Sequence, residues 1–206
     1  METPFPVTVH PYPSTRPDGR PRAAYEYGPP ARNALIFIGG LGDGPFDVPY
    51  IRTIASKLTS ENLPYSVFEI CLSSAYSAFG YGSLAQDIED IAALVRYLRA
   101  AGQGREKIVL MGHSTGCQDC MEYAAKGEEG VDGFVLQGSV SDREAIVLAA
   151  EGVEGGMEVL RESVSVAEGM VSDGRGEEVV PAEKLPEEWR GSPITAYRWN
   201  SLAAKG

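Results

Sequence analysis

The sequence predicts an α/β fold built on a doubly wound, mostly parallel sheet. Three observations carry that expectation. Short apolar runs such as Asn33–Ile38 and Ile108–Met111 are almost unbroken, as in central strands covered on both faces. Segments of helical spacing separate them, the clearest being Leu84–Ala101, with Leu84, Ile88, Ile91, Leu94, Val95 and Leu98 along one face. The order strand, helix, strand, helix, strand then requires crossover connections within one sheet. The chain reads as a single domain, residues 1–206, in three stretches: N-terminal edge strands (1–30), a core (31–140) and a helical, cap-like segment (141–206).

Residues 1–30 are rich in Pro, Arg and Tyr. Pro6–His10 and Ala23–Tyr27 read as strands joined by a turn at Arg16–Arg20, and the proline content makes both edge strands. Asn33–Ile38 opens the core. It ends in Gly39-Gly40-Leu41-Gly42-Asp43-Gly44-Pro45, whose glycines allow close approach of backbone to a ligand. Tyr50–Ser60 has helical spacing at Ile51, Ile54, Ala55 and Leu58. Pro64–Leu72 reads as the next strand, and the small, aromatic and polar stretch Ser73–Gly82 suits a loop over a site. Ser83 is the expected cap of Leu84–Ala101, and Gly102 and Gly104 end that helix. The strand ending at Met111 follows, then a helix from about Cys117 to Lys126, then Val131–Gln137 as another buried strand. Beyond Ser139 the character changes. Ser141–Glu154 reads as helical. Gly155–Gly176 is acidic with one amphipathic piece (Met157, Leu160, Val164, Ala167). Glu177–Gly191 is polar and broken by proline, and Ile194–Ala204 reads as one or two helical turns.

The 206 residues are 43% hydrophobic and 23% charged, which suits a globular domain with its own core. Eighteen Lys and Arg stand against 29 acidic residues, a formal charge of −11. That balance argues against nucleic acid and anionic membrane surfaces as partners. No apolar run approaches the roughly 20 residues that span a bilayer. Met1–Pro13 lacks the basic and apolar regions of a secretory signal, and three Cys do not suggest a disulfide framework. A cytoplasmic setting is expected. No cofactor or metal is expected either: the glycine loop lacks both the Lys-Ser/Thr ending of a P-loop and the G-x-G-x-x-G spacing, and a zinc site would need more ligands.

Gly112-His113-Ser114-Thr115-Gly116 stands between an apolar strand and a helix start and fits G-x-S-x-G, a nucleophile elbow. The turn must be strained for the serine oxygen to stand clear of the sheet, and a Cβ at either glycine would crowd its neighbours. The helix N-terminus beneath offers unpaired N–H groups and positive potential where an oxyanion would form. Ser114 is the candidate nucleophile. The loop after the first core strand makes Gly40, Leu41 and Gly42 candidates for the second oxyanion donor. The alternatives are a tight turn whose Ser114 caps the helix, and a plain flexible glycine turn.

Three further features have plainer explanations. Cys117-x-x-Cys120 opens a helix like a redox pair, but its flanks lack the usual turn, and buried free thiols account for it. Asp142 follows the strand after the elbow, where some hydrolases place their acid; it would equally favour a helix start, as would Glu144. Glu177-Glu178 and Glu187-Glu188 read as a solvated face.

In these residues the chain resembles a fungal branch of the α/β-hydrolases that includes hydrolases cleaving the ester bonds of fusarinine-type siderophores. The resemblance is carried by Gly39-Gly40-Leu41-Gly42-Asp43-Gly44, by Gly112-His113-Ser114-Thr115-Gly116-Cys117-Gln118-Asp119, by Gln137-Gly138-Ser139-Val140-Ser141-Asp142-Arg143-Glu144, and by Pro193-Ile194-Thr195-Ala196-Tyr197-Arg198. It implies Ser114 as nucleophile, Leu41 and Thr115 as oxyanion N–H donors, and a small-molecule ester as substrate. It also implies an acid and a His on later strands, in the order Ser, Asp, His, so the chain resembles the first two-thirds of such a hydrolase, lacking the last strands. The only two His are His10 and His113. His113 adjoins the elbow Ser and should point away from its oxygen; His10 falls on an edge strand. The expectation is a serine esterase, weak or inactive as this chain. The alternative is a non-catalytic hydrolase-like binding or interaction protein. The strand at Phe134–Gln137 is expected to be an open sheet edge, inviting a homodimer, and a second polypeptide supplying the missing segment is the third option.

Overall fold

The computed structural model describes residues 5–14 and 19–204. Its six-stranded sheet comprises β1 (Thr8–Tyr12), β2 (Arg22–Tyr27), β3 (Asn33–Ile38), β4 (Tyr65–Ile70), β5 (Ile108–His113) and β6 (Gly133–Gln137), in the order β1-β2-β4-β3-β5-β6. β3 to β6 run parallel, and β1 and β2 join antiparallel beside β4. Register is fixed at the centre, where Ile36 of β3 lies between Phe68 of β4 and Leu110 of β5. The turn expected at Arg16–Arg20 falls largely outside the described residues.

Alternation along β3 explains why both faces are covered. Ala34, Ile36 and Ile38 point to one side and pack with Ile91, Leu94, Val95 and Leu98 of α2 (Leu84–Arg99) and with Cys120 and Tyr123 of α3 (Gly116–Lys126). Leu35 and Phe37 point to the other and pack with Ile51 and Ala55 of α1 (Tyr50–Ser60). Successive strand side chains face opposite ways, so an unbroken apolar run needs a helix on each side. Gly104, at φ +60°, ends α2 by donating its N–H to the Ala100 carbonyl at 2.8 Å.

Two expectations about strands need correction. β2 is not an edge strand: it lies between β1 and β4, and Ala24 and Tyr27 are buried. Its strand residues contain no proline, so the ladder on both sides survives, while Pro11 sits in β1 at the edge, where a missing N–H is tolerated. β6 is not buried. Phe134, Val135 and Leu136 are 40–45% exposed at the end of the sheet. An apolar run identifies a strand; what lies beside that strand decides whether it is covered.

The chain divides into two compact units, one of Met1–Ala75 with Leu84–Ser139, the other of Tyr76–Ser83 with Val140–Gly206. The first holds the sheet and α1 to α3. The second holds α4 (Asp142–Glu151), α5 (Gly156–Ser172) and α6 (Ala196–Ala203), with short 3₁₀ turns between and at Tyr76–Gly80. Its core is built from Ile146, Leu160, Ala167, Leu185 and the fully buried Trp199, whose indole N–H donates to Ser163 Oγ at 3.0 Å. Gly80 is held there by contact with Pro193, where any Cβ would collide with backbone, and its carbonyl accepts the Thr195 N–H at 2.9 Å. No described helix is long and apolar enough to cross a membrane.

Candidate active site

β5 carries Ser114 out of the sheet at its C-terminal end. Ser114 has φ +52°, a left-handed conformation that an L-residue adopts at a cost of about 1–2 kcal/mol. Both flanking glycines are required by contact. A Cβ on Gly112 would lie 2.5 Å from the Gly116 carbonyl oxygen, and one on Gly116 would lie 2.5 Å from that of Ile38 and closer still to that of Gly39. Neither obstacle can yield, because each is backbone. The elbow is tied to its neighbour strand by the Ser114 N–H, which donates to the Gln137 carbonyl at 3.0 Å.

Helical bonding starts at once. Cys117 N–H donates to the Ser114 carbonyl at 3.0 Å and Gln118 N–H to the Thr115 carbonyl at 2.8 Å. The first N–H groups of a helix have no partner within it, so the Thr115 and Gly116 amides open α3 with the positive end of its dipole beneath Ser114.

The loop after β3 comes up against this turn. A Cβ on Gly40 would lie 3.2 Å from Ser114 Cβ and 3.5 Å from the His113 carbonyl oxygen. Ser114, Thr115 and Gly40 are thus brought together; Leu41 and Gly42 follow in the same turn, with Gly42 at φ +79°. The turn is closed by Asp43, which the motif pattern does not mark. Asp43 accepts the Gly40 N–H on Oδ2 at 2.7 Å and donates its own N–H to the Gly40 carbonyl at 3.0 Å. Asp47 caps the next turn in the same way, accepting from Gly44 N–H at 2.8 Å. An Asp three residues after a glycine is the signal that could have found both.

Neither histidine is free for Ser114. The His113 ring lies against Gln137 Oε1, and its Nδ1 is 3.1 Å from the Tyr50 hydroxyl, which also donates to Gln137 Oε1 at 3.1 Å. Burial, followed by the nearby Cys117 and Asp43, pushes the Tyr50 hydroxyl pKa up. His10 Nε2 is 2.9 Å from Glu26 Oε2 and its Nδ1 is 3.1 Å from the Tyr97 hydroxyl, on the β1–β2 side of the sheet. Asp142 is the first residue of α4, in the second unit, where Ser141 caps the helix by accepting the Glu144 N–H at 3.3 Å. Cys117 and Cys120 are buried free thiols, and burial, followed by Asp119 and Cys117, pushes Cys120 up to about 12, far from a reactive thiolate.

A mostly parallel sheet of this order, with a strained serine on the turn between its fifth strand and the following helix and a glycine loop from the neighbouring strand beside it, is an α/β-hydrolase. Solved α/β-hydrolases superpose on it, among them the siderophore hydrolase EstB of Aspergillus fumigatus, with a TM-score of 0.72 and 28% identity over 99% of this chain and 65% of that one. Within that fold the chain belongs to the family described as protein of unknown function (DUF1749), which matches residues 1–206. A UPF0613 protein of Schizosaccharomyces pombe is 34% identical over 173 residues, 81% of this chain and 52% of that protein. The fusarinine C esterase sidJ of Aspergillus fumigatus is 34% identical over 148 residues, 59% of this chain and 41% of that protein. The chain thus spans about half, or less, of the length of these two relatives.

Proposed function

We propose that this chain carries the nucleophile and oxyanion elements of a serine carboxylic ester hydrolase of the siderophore-esterase type. The observation that carries the proposal is the left-handed Ser114, at φ +52°, wedged between two glycines whose Cβ atoms backbone forbids. Ser114 attacks the ester carbonyl. The N–H groups of Leu41 and Thr115 receive the oxyanion, while Gly40 and Gly42 bring the loop close enough to do so. Similarity to the fusarinine C esterase sidJ and to the siderophore hydrolase EstB favours a siderophore ester as substrate. Charge and cysteine usage favour a cytoplasmic setting.

Both imidazoles of the chain are committed elsewhere, His10 to Glu26 and Tyr97, His113 to Gln137 and Tyr50. Loss of a triad member lowers turnover by a factor on the order of 10⁴ to 10⁶. These 206 residues alone therefore have little or no esterase turnover, and Asp142 acts as triad acid only if a base is supplied. The test is hydrolysis of p-nitrophenyl esters by the purified chain and by Ser114→Ala, with fluorophosphonate labelling of both. Slow but Ser114-dependent labelling, with little or no turnover, is expected, because attack on phosphorus calls on the same base as attack on an ester. Equal labelling of Ser114→Ala rejects the nucleophile; fast Ser114-dependent turnover rejects the missing base.

A non-catalytic, hydrolase-like interaction protein is the second possibility, and one observation favours it. β6 presents Phe134, Val135 and Leu136, each at least 40% exposed, on an open strand edge. In that case the edge pairs with a second copy of the chain.

A further inference from the structure

Asp43 is the part of the glycine loop that the ester chemistry leaves without a task. A methyl group placed on Gly40 would touch Asp43 Oδ2 and Ser114 Cβ at once, each at 3.2 Å. One methyl's width therefore lies between that carboxylate and the Ser114 side chain. The carboxylate accepts the Gly40 amide N–H. Among the described residues no side-chain cation is paired with that carboxylate beside the point where an ester would be attacked, and Asp43 is only half-buried, open to a bound molecule as well as to the loop.

We infer that Asp43 determines the charge preference of the Ser114 site, favouring esters that carry a cationic group next to the ester bond and disfavouring those with an anionic group there. The inference rests on Ser114 being the nucleophile. A charged substituent a few ångströms from Asp43 meets it across a partly solvated gap. Like and unlike charges there differ enough in energy to change a rate ratio by about tenfold, and added salt screens the difference. Asp43 also ties up the Gly40 N–H, so the oxyanion falls to the neighbouring amides. The two roles separate cleanly. Asparagine keeps an oxygen to accept the Gly40 N–H and loses the charge; alanine loses both.

The experiment measures the rate of Ser114 labelling by three fluorophosphonates that differ only in a tail beside phosphorus: trimethylammonium, methyl or carboxylate. Wild type, Asp43→Asn and Ser114→Ala are compared. The expected result is a cationic-to-anionic rate ratio about tenfold higher in wild type than in Asp43→Asn. The wild-type ratio should also fall toward one as salt rises from low to about 0.5 M. A ratio unchanged by Asp43→Asn in a variant that melts like wild type overturns the inference and leaves Ser114 as nucleophile. If Asp43→Asn fails to fold, a salt-independent wild-type ratio overturns it instead. Labelling that ignores Ser114→Ala overturns the nucleophile and the inference together.

Discussion

Glu69 Oε2 accepts the backbone N–H of Phe46 at 3.2 Å, tying β4 to the far end of the loop that begins at Gly39. Phe46 sits at φ +79°, and its ring packs on Tyr25 at 4.8 Å between centroids, so this bond pins a strained residue from beneath. Tyr27 donates its hydroxyl to the same oxygen. Burial is the leading cause that raises the Glu69 carboxyl above its ordinary value of 4.5, against the pull of the Tyr27 and Phe46 bonds. An acid raised in the folded state favours folding while protonated. Its contribution is present below the unfolded value and is lost as pH rises through the folded one. Stability should therefore decline as pH climbs above 4.5, and Glu69→Gln, which cannot ionise, should flatten that decline. Urea midpoints across the pH range check it; identical slopes for the two proteins would remove Glu69 as the cause.

Ser114→Gly should be more stable than the parent. The left-handed conformation costs a serine about 1–2 kcal/mol and glycine almost nothing, while the extra freedom of glycine when unfolded offsets roughly 0.4–1 kcal/mol. The expected net gain is about 0.5 kcal/mol, with loss of fluorophosphonate labelling. Ser114→Ala keeps the Cβ and the strain, so it should be close to neutral in stability. Denaturant midpoints separate the two variants. A glycine variant no more stable than the alanine one would mean the turn stores no strain.

The carboxylate of Glu26 is 1% exposed and three side chains converge on it. Arg105 donates to Oε1 at 2.8 Å, Ser66 Oγ donates to Oε1 at 2.6 Å, and His10 Nε2 lies 2.9 Å from Oε2. The cluster joins β1, β2, β4 and the approach to β5. Removing one partner strands a buried charge. Arg105→Ala should cost about 3–5 kcal/mol, while replacing the pair by Glu26→Gln with Arg105→Met should recover a good part of it. A double-mutant cycle by denaturation reads the coupling. A double variant as unstable as Arg105→Ala would show that shape, not charge, governs the cluster.

The sheet was legible in the sequence because periodicity alone sets it. The even and odd residues of β3 divide between two helical layers, and an unbroken apolar run can mean little else. The elbow was legible because sterics leave only glycine at positions 112 and 116. What stayed hidden depended on distant partners. Glu69 and Tyr27 lie 42 residues apart in sequence, and Glu26 and Arg105 lie 79 apart. Nothing local marks a Glu in a strand as the holder of a loop amide. Nothing in the glycine motif singles out Asp43, since its bond to Gly40 is a turn contact and its proximity to Ser114 exists only in three dimensions. β6 reads both as a buried strand and as an open sheet edge, because its apolar run resembles that of β3 and only the neighbouring elements decide between the two.

The exposure of β6 yields a test of association. Among the described residues β6 has no strand neighbour on its outer side, and because Phe134, Val135 and Leu136 are consecutive, both faces of the strand are apolar. Pairing with a second copy would satisfy the backbone and cover all three side chains. Against it stands the charge of −11 on each copy, a repulsion that reaches about 10 Å at 0.1 M salt and shrinks as salt is added. Self-association should therefore strengthen from low salt to about 0.5 M, opposite to an interface held by ion pairs. Val135→Lys puts a charge on the edge and should return the protein to monomer at every salt concentration, as lysine does on natural sheet edges. Sedimentation velocity at several salt concentrations measures both effects. A wild-type chain that stays monomeric at high concentration and high salt would show that β6 does not pair with itself.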